Sequence, residues 1–159
     1  MKTSSHPRST AFLLAQVGAH AAAKFAERLS PLDLAPAHAG MLRIVQKNPG
    51  ISQQALSAML TLPASRLVVL VDELEGRGLL ERRNDPEDRR AYALYLTRQG
   101  TDAFEAVGQV SRAHDDAICS ALTAQERELL ASLLRRVADQ QGLTPGVHPG
   151  FSRHGRAAK

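Results

Sequence analysis

One change of hydrophobic period, between Gly78 and Thr97, constrains this chain more than any other feature. Upstream of it, Leu67, Leu70, Val71 and Leu74 recur at i, i+3, i+4, i+7, the spacing of one buried helical stripe. Gly78 can take the left-handed conformation that ends such a helix. Leu79-Leu80-Glu81-Arg82-Arg83 and the stretch Ala91 to Leu96 then flank a turn, Asp85-Pro86-Glu87-Asp88-Arg89-Arg90. Tyr92, Leu94 and Leu96 alternate, which is the period of a strand. Thr97 restarts helix as a cap. The reading is a single β-hairpin with a long, charged loop, set among helices.

The helices follow from the same periodicity. From Thr10 to Leu29 the sequence is Ala-rich and free of Pro, with Leu14, Val17, Ala21, Phe25 and Leu29 at helical spacing, and Ser30-Pro31 ends the segment. Pro36 suits the first turn of a second helix that runs to about Lys47. Asn48-Pro49-Gly50 marks a turn. Ser52 is the candidate cap of a short third helix, Gln53 to Met59, which breaks at Thr61 to Pro63 before the fourth. The fifth helix is expected to reach about Leu122. Thr123-Ala124-Gln125-Glu126 has the form of a capping box and opens a sixth that ends near Gly142. Hydrophobic residues make up 43% of the chain and aromatics 4%, with no Trp. A core of Leu, Val, Ile and Ala therefore has to come from helices packed on helices.

The expected fold class is mainly α with a small β-hairpin wing: a winged helix-turn-helix between N- and C-terminal helices. The short helices around Thr61 have helix-turn-helix dimensions. A helix of that kind can enter the major groove of DNA and read base edges. A hairpin carrying Arg can reach the neighbouring minor groove, whose negative potential attracts guanidinium groups.

Three runs carry a specific resemblance: Asn48-Pro49-Gly50-Ile51-Ser52-Gln53-Gln54-Ala55-Leu56, then Asp72-Glu73-Leu74-Glu75-Gly76-Arg77-Gly78-Leu79-Leu80-Glu81-Arg82, then Asp85-Pro86-Glu87-Asp88-Arg89-Arg90-Ala91 followed by Leu96-Thr97-Arg98-Gln99-Gly100. In this order and spacing the stretch Leu34 to Gly100 resembles the MarR (multiple antibiotic resistance regulator) family of transcriptional regulators. The resemblance implies a homodimer held by residues 11–35 and 97–142, with residues 36–96 as the DNA-binding module. Residues 1–10 are expected as a flexible lead and 143–159 as a flexible basic tail. The fifth and sixth helices fit a dimer: Phe104, Val107, Ser111, His114 and Ile118 share one face, as do Leu129, Leu130, Leu133, Leu134 and Val137.

Candidate DNA contacts follow. Ser52, Gln53 and Gln54 open the third helix, where free backbone N–H groups either hold a phosphate or are simply capped. Ser65 and Arg66 lie in the first turns of the recognition helix, off the buried stripe, and Arg66 suits a guanine or a phosphate. Two features depart from the family pattern. Pro63 stands where a Ser/Thr-type cap is usual. Val68 and Val69 stand where polar residues are common, placed either to touch thymine methyls or, one register off, to turn inward. Of Arg89 and Arg90, one is expected in the minor groove and the other paired with Asp72 or Asp88 to position the wing. The resemblance suggests Arg90 for the pairing and Arg89 for the groove. It also implies a crevice for a small aromatic or anionic effector, with His20, His38 and Met41 as candidates.

The expected function is a DNA-binding transcriptional regulator, a ligand-responsive repressor binding a pseudo-palindromic operator as a homodimer on double-stranded DNA. The alternative is a winged-helix interaction module that has lost sequence-specific DNA binding. Net charge is +4, but Lys2, Arg8, Arg153, Arg156 and Lys159 lie in terminal segments without acids, which leaves residues 11–141 with fifteen bases against sixteen acids. The case for DNA therefore rests on where particular bases sit. No nucleophile elbow, Gly-rich phosphate loop or metal-ligand set is present, so neither an enzyme nor a cofactor or metal is expected. With no apolar run of membrane-spanning length and one cysteine, Cys119, the chain is expected to be cytoplasmic. The peroxide-sensing branch of the family has its cysteine in the first helix, where this chain has none.

Overall fold

The computed structural model describes residues 9–152. The expected lead up to Arg8 and the tail bases Arg153, Arg156 and Lys159 lie outside the described residues. Six α-helices and three strands follow one another as α1 (Thr10–Leu29), α2 (Pro36–Lys47), β1 (Ile51–Ser52), α3 (Gln53–Leu60), α4 (Ala64–Gly76), β2 (Leu80–Asn84), β3 (Tyr92–Leu96), α5 (Arg98–Ile118) and α6 (Ala124–Gln140). This is the expected class, mainly helical with one small sheet.

The core sits between α2, α3, α4 and the sheet. Ala37, Met41, Leu42 and Val45 form the inner stripe of α2, and Leu67, Leu70, Val71 and Leu74 that of α4. Leu56, Leu60, Leu80 and Leu94 close the space between them. Burying each such Leu contributes about 1.5–3 kcal/mol relative to leaving it in water.

The sheet has the order β1-β3-β2, both pairs antiparallel. The hairpin is the expected one. The third strand is not, because β1 is two residues long and pairs far along the chain, Ile51 with Leu94 and Ser52 with Ala93. Gly50, at φ +82°, turns the chain into that pairing and donates its N–H to Leu94 O at 2.9 Å. The base of the hairpin is tied to α5. Thr97 accepts the Gly100 N–H at 2.9 Å and donates its hydroxyl to Gly78 O at 2.6 Å. A Cβ on Gly100 would collide with Leu79 O, so α5 can start this close to the wing only with glycine there.

Helix α6 stands apart. None of its residues is buried in the single chain, and Leu129, Leu130, Leu133, Leu134 and Val137 are exposed along one face. Phe12, Leu13, Leu14 and Val17 are likewise exposed on α1. No single helix among the described residues is long and apolar enough to cross a membrane.

The segment after α6 departs from the expected free tail. Gly142, at φ +67°, stops the helix in a Schellman arrangement: its N–H reaches Asp139 O at 3.1 Å, and that of Leu143 reaches Ala138 O at 3.0 Å. The chain then turns back to a 3₁₀ turn at Pro149–Ser152, and Phe151 enters the core, 2% exposed.

Candidate nucleic-acid interface

Helices α3 and α4 bend by 116° at the break between them, within the range of a helix-turn-helix. Thr61 makes that break in the left-handed conformation at φ 51°. Ser57 holds it, accepting the Leu62 N–H on its carbonyl at 3.1 Å and donating its hydroxyl to Leu62 O at 2.6 Å. Pro63 then sets the start of α4 without a side-chain cap. With Leu67, Leu70, Val71 and Leu74 turned inward, Ser65 and Val69 are exposed, while Arg66 and Val68 are half-buried. Only one of the two valines, Val69 at 51%, is therefore presented openly. Val68 lies at the border of the buried stripe, a turn of about 100° from Leu67, and is half-covered there.

At the mouth of α3 two expected contacts have other partners. Ser52 caps the helix, accepting the Ala55 N–H at 3.0 Å. Gln53 accepts from Arg82 Nε through its side-chain oxygen at 3.2 Å. Gln54 is exposed.

The wing is organised by a residue the sequence reading assigned no role, Arg82 on β2. Its guanidinium pairs with Asp72 Oδ1 at 2.5 Å and with Glu75, both on α4, besides Gln53 on α3. One side chain, 16% exposed, thus fastens the hairpin to both helices of the helix-turn-helix. Burial works against its charge, but the Asp72 hydrogen bond and the two carboxylates outweigh it and raise its pKa. The signal in the sequence was Asp72 and Glu75 at i, i+3, two acids on one helix face with no base on their own helix to meet them.

This corrects the expected pairing of a wing-tip arginine with Asp72, since Asp72 is engaged by Arg82. Asp88 does meet Arg90, through the backbone: its Oδ1 accepts the Arg90 N–H at 2.9 Å, and Asp85 Oδ1 accepts the Glu87 N–H at the same distance. These Asx turns shape the tip and leave the side chains of Arg89 and Arg90 exposed. Arg90 lines a groove of about 860 Å³ with Asp88, Gln53, Gln54, Pro63 and Ala64, so the start of the recognition helix and the wing tip border the same space.

Asp72 and Glu75 are themselves partly exposed, which limits the stability their pairs supply. Replacing Arg82 with Met should cost about 1 kcal/mol, a fall in Tm of about 2–4 °C. Amide exchange in β2 and in the loop 85–91 should quicken far more than in α2. Unchanged exchange across the hairpin would show that Arg82 does not fasten it.

The effector candidates are not brought together. His20 is exposed, whereas His38 and Met41 are buried. His38 Nδ1 accepts the Ala35 N–H at 3.1 Å, so Nε2 carries the proton, and it lies 2.6 Å from Glu73 Oε2 on α4. His38 ties α2 to the recognition helix. The reason is helical phase: His38, Met41, Leu42 and Val45 share the face of α2 turned to α4, while Pro36, Ala39, Gly40 and Arg43 share another. That second face lines a crevice of about 510 Å³ with Phe25, Phe104, Val107 and Ser111 from α1 and α5. His114 and His148 flank the ring of Phe25 at centroid distances of 5.3 and 5.6 Å. Burial lowers both pKa values, aided by Arg28 for His114, where Asp115 opposes it, and by His114 for His148. His114 Nδ1 is buried with no hydrogen-bond partner among the described residues.

A helix-turn-helix followed directly by a hairpin fastened to it defines a winged helix-turn-helix protein. Residues 32–91 match the MarR family model. A candidate transcriptional regulatory protein for the hcr operon of Thauera aromatica is 37% identical over 106 residues, covering 67% of this chain and 64% of that protein's length. Among solved structures, the transcriptional repressor CouR bound to a 23-mer DNA duplex aligns at a TM-score of 0.75 and 28% identity, covering 82% of this chain and 92% of that one. Wild-type MarR from E. coli in its apo form aligns at 0.72 and 27%, covering 81% and 96%. In these matched residues and in its fold the chain resembles the MarR family.

Proposed function

We propose that this chain is a transcriptional regulator, a repressor rather than an enzyme, that binds double-stranded DNA as a homodimer and answers to a small aromatic or anionic molecule. The observation that carries the reading is the shared groove: the N-terminal turn of α4 and the wing tip with Arg90 border one space on one side of the module. A recognition helix in the major groove and a wing along the backbone or minor groove require that arrangement. Ser65, Arg66 and Val69 then face base edges or phosphates, Gln54 meets the backbone, and Arg89 reaches the minor groove. Residues 36–96 form the DNA-binding module, and the exposed apolar faces within 11–35 and 97–142 form the dimer. The effector crevice is the one lined by α1, α2 and α5. A regulator of this kind works in the cytoplasm. CouR, similar over most of its length, is a repressor bound to DNA, which supports the reading.

The test is titration of the protein onto its own upstream DNA at several salt concentrations. The expected result is a preference over random duplex of at least about 10³-fold, with log K falling linearly in log salt. Equal affinity for both duplexes would overturn the sequence-specific reading and leave the interaction module.

A further inference from the structure

Residues 143–151 carry an observation that the regulator reading does not use. This segment has the composition of a free tail, yet it ends on a side chain seated in the core. The Cε2–Cζ edge of the Phe151 ring meets Gly40 of α2. A Cβ built on Gly40 would stand 2.7 Å from Phe151 Cε2 and 2.8 Å from Cζ, closer than carbon atoms approach without something shifting. The seat exists because position 40 has no side chain.

The path to that seat crosses the crevice. Arg43 donates to Gly146 O, and Gly146 takes φ +74° to bring that carbonyl within reach. His148 and Pro149 then lie between two openings, one of about 510 Å³ on the α5 side and one of about 490 Å³ along α1. Both openings share Pro36, His148 and Pro149 as walls. Lifting the segment would join them into a single apolar trough and vacate the slot of the aromatic ring.

We propose that residues 143–151 are a detachable strap, and that Phe151 is the chain's own occupant of an aromatic slot in the effector crevice, so that a small aromatic anion binds by displacing it. The balance of forces supports detachment. One phenyl ring, the partly buried Val147, the ring of His148 beside Phe25 and a surface hydrogen bond from Arg43 must offset the ordering of nine residues. Besides the bonds internal to its 3₁₀ turn, the backbone bonds within the strap among the described residues are those from Val147 N to Thr144 O at 3.3 Å and from Phe151 N to His148 O at 3.1 Å. The strap joins no strand and extends no long helix. The chemistry of the occupant follows from the walls: Phe25, Phe104 and Val107 favour an aromatic body, and Arg43, freed from Gly146 O, would meet an anionic group. Displacement is communicated through α2, which carries the seat at Gly40 and, on its other face, the His38–Glu73 contact to the recognition helix.

The proposal adds regulation to the regulator reading, and its test contains no DNA, so the two can fail separately. The probe is 1-anilinonaphthalene-8-sulfonate, an aromatic anion, titrated onto the full chain, a chain ending at Gly142, and Phe151→Ala. If the strap is docked in nine molecules of ten, its removal tightens the probe by roughly tenfold. Phe151→Ala should do nearly the same with the rest of the strap present, since it empties the slot and leaves Gly40 bare for the probe. It keeps the backbone of the segment and Arg43's bond to Gly146 O, so it should fold even where the truncated chain does not. A peptide of residues 143–152 should compete the probe off Gly40-containing truncated chain. In the full chain, added probe should speed amide exchange at Val147 and Phe151. Unchanged or weaker probe binding by Phe151→Ala would overturn the proposal. So would slower exchange at Val147 and Phe151, because the strap would then close over a ligand instead of yielding to it.

Discussion

Replacing Leu130 and Leu133 on α6 with Glu should convert the protein from dimer to monomer and lower its affinity for an operator by about 10²–10⁴-fold. The argument begins with the single chain. Helix α6 buries none of its residues there, and five large apolar side chains, from Leu129 to Val137, line one face in the open. A helix with that stripe is stable in water only against a partner. The exposed Phe12, Leu13, Leu14 and Val17 on α1 extend the surface that needs covering. Two charges placed inside a dimer core lose hydration without gaining a partner, so the interface opens. The winged module shares no core residue with α6 and should keep its fold, so that loss of DNA binding reports the lost second half-site and nothing else. Two recognition helices in one dimer must meet successive major grooves roughly 34 Å apart, and a monomer forfeits the second encounter. Sedimentation of the variant, with circular dichroism as the check on folding, decides the matter. A dimer that survives both substitutions would place the interface elsewhere.

The parts of this fold that local rules govern were legible in the sequence. Helical stripes, the Gly78 stop, the Thr123 capping box and the alternation of β3 each depend on residues within a few positions of one another. What was hidden depends on distance along the chain. Strand β1 is two residues that become a strand only because β3 lies beside them. Arg82 sits in a plain charged run, and its partners Gln53, Asp72 and Glu75 are on other elements. The resemblance points to His38 and Met41 as crevice residues, but a helical phase shift of one or two positions puts Gly40 and Arg43 there instead. The seat of Phe151 was least visible of all. It is made by the absence of a side chain at Gly40, and its occupant lies in a stretch of Gly, Pro and His with no periodicity to announce burial. Of the DNA-contact candidates, those on the exposed face of α4 followed from the stripe they avoid, while Ser52 and Gln53 show how readily a polar side chain at a helix start is claimed by the protein itself.

Replacing Arg89 and Arg90 together with Ala should weaken DNA binding by about 10–100-fold at low salt and reduce the slope of log K against log salt by about one to two. The geometry separates the two residues. Arg90 lines the groove beside α3 and α4, with its backbone N–H held by Asp88; Arg89 is exposed at the tip and does not line that groove. Arg89→Ala alone should therefore lower affinity for A·T-rich flanks, where the minor groove is narrow and its potential most negative, and leave other flanks little changed. Arg90→Ala should weaken every duplex alike, as loss of a phosphate contact does. Arg82→Met is the necessary companion, because it keeps both wing-tip charges and removes only the fastening to Asp72 and Glu75. If the wing acts by its charge alone, Arg82→Met should bind nearly as the parent does. If the charge must be held in place, Arg82→Met should lose much of the affinity that the double variant loses, with less change in salt slope. The second outcome is expected: an arginine on a loose hairpin must be ordered upon binding, and that ordering subtracts from the contact it makes. A double variant that binds DNA with unchanged affinity and slope would remove the wing from the interface and leave the face of α4, with its exposed Val69, to act alone.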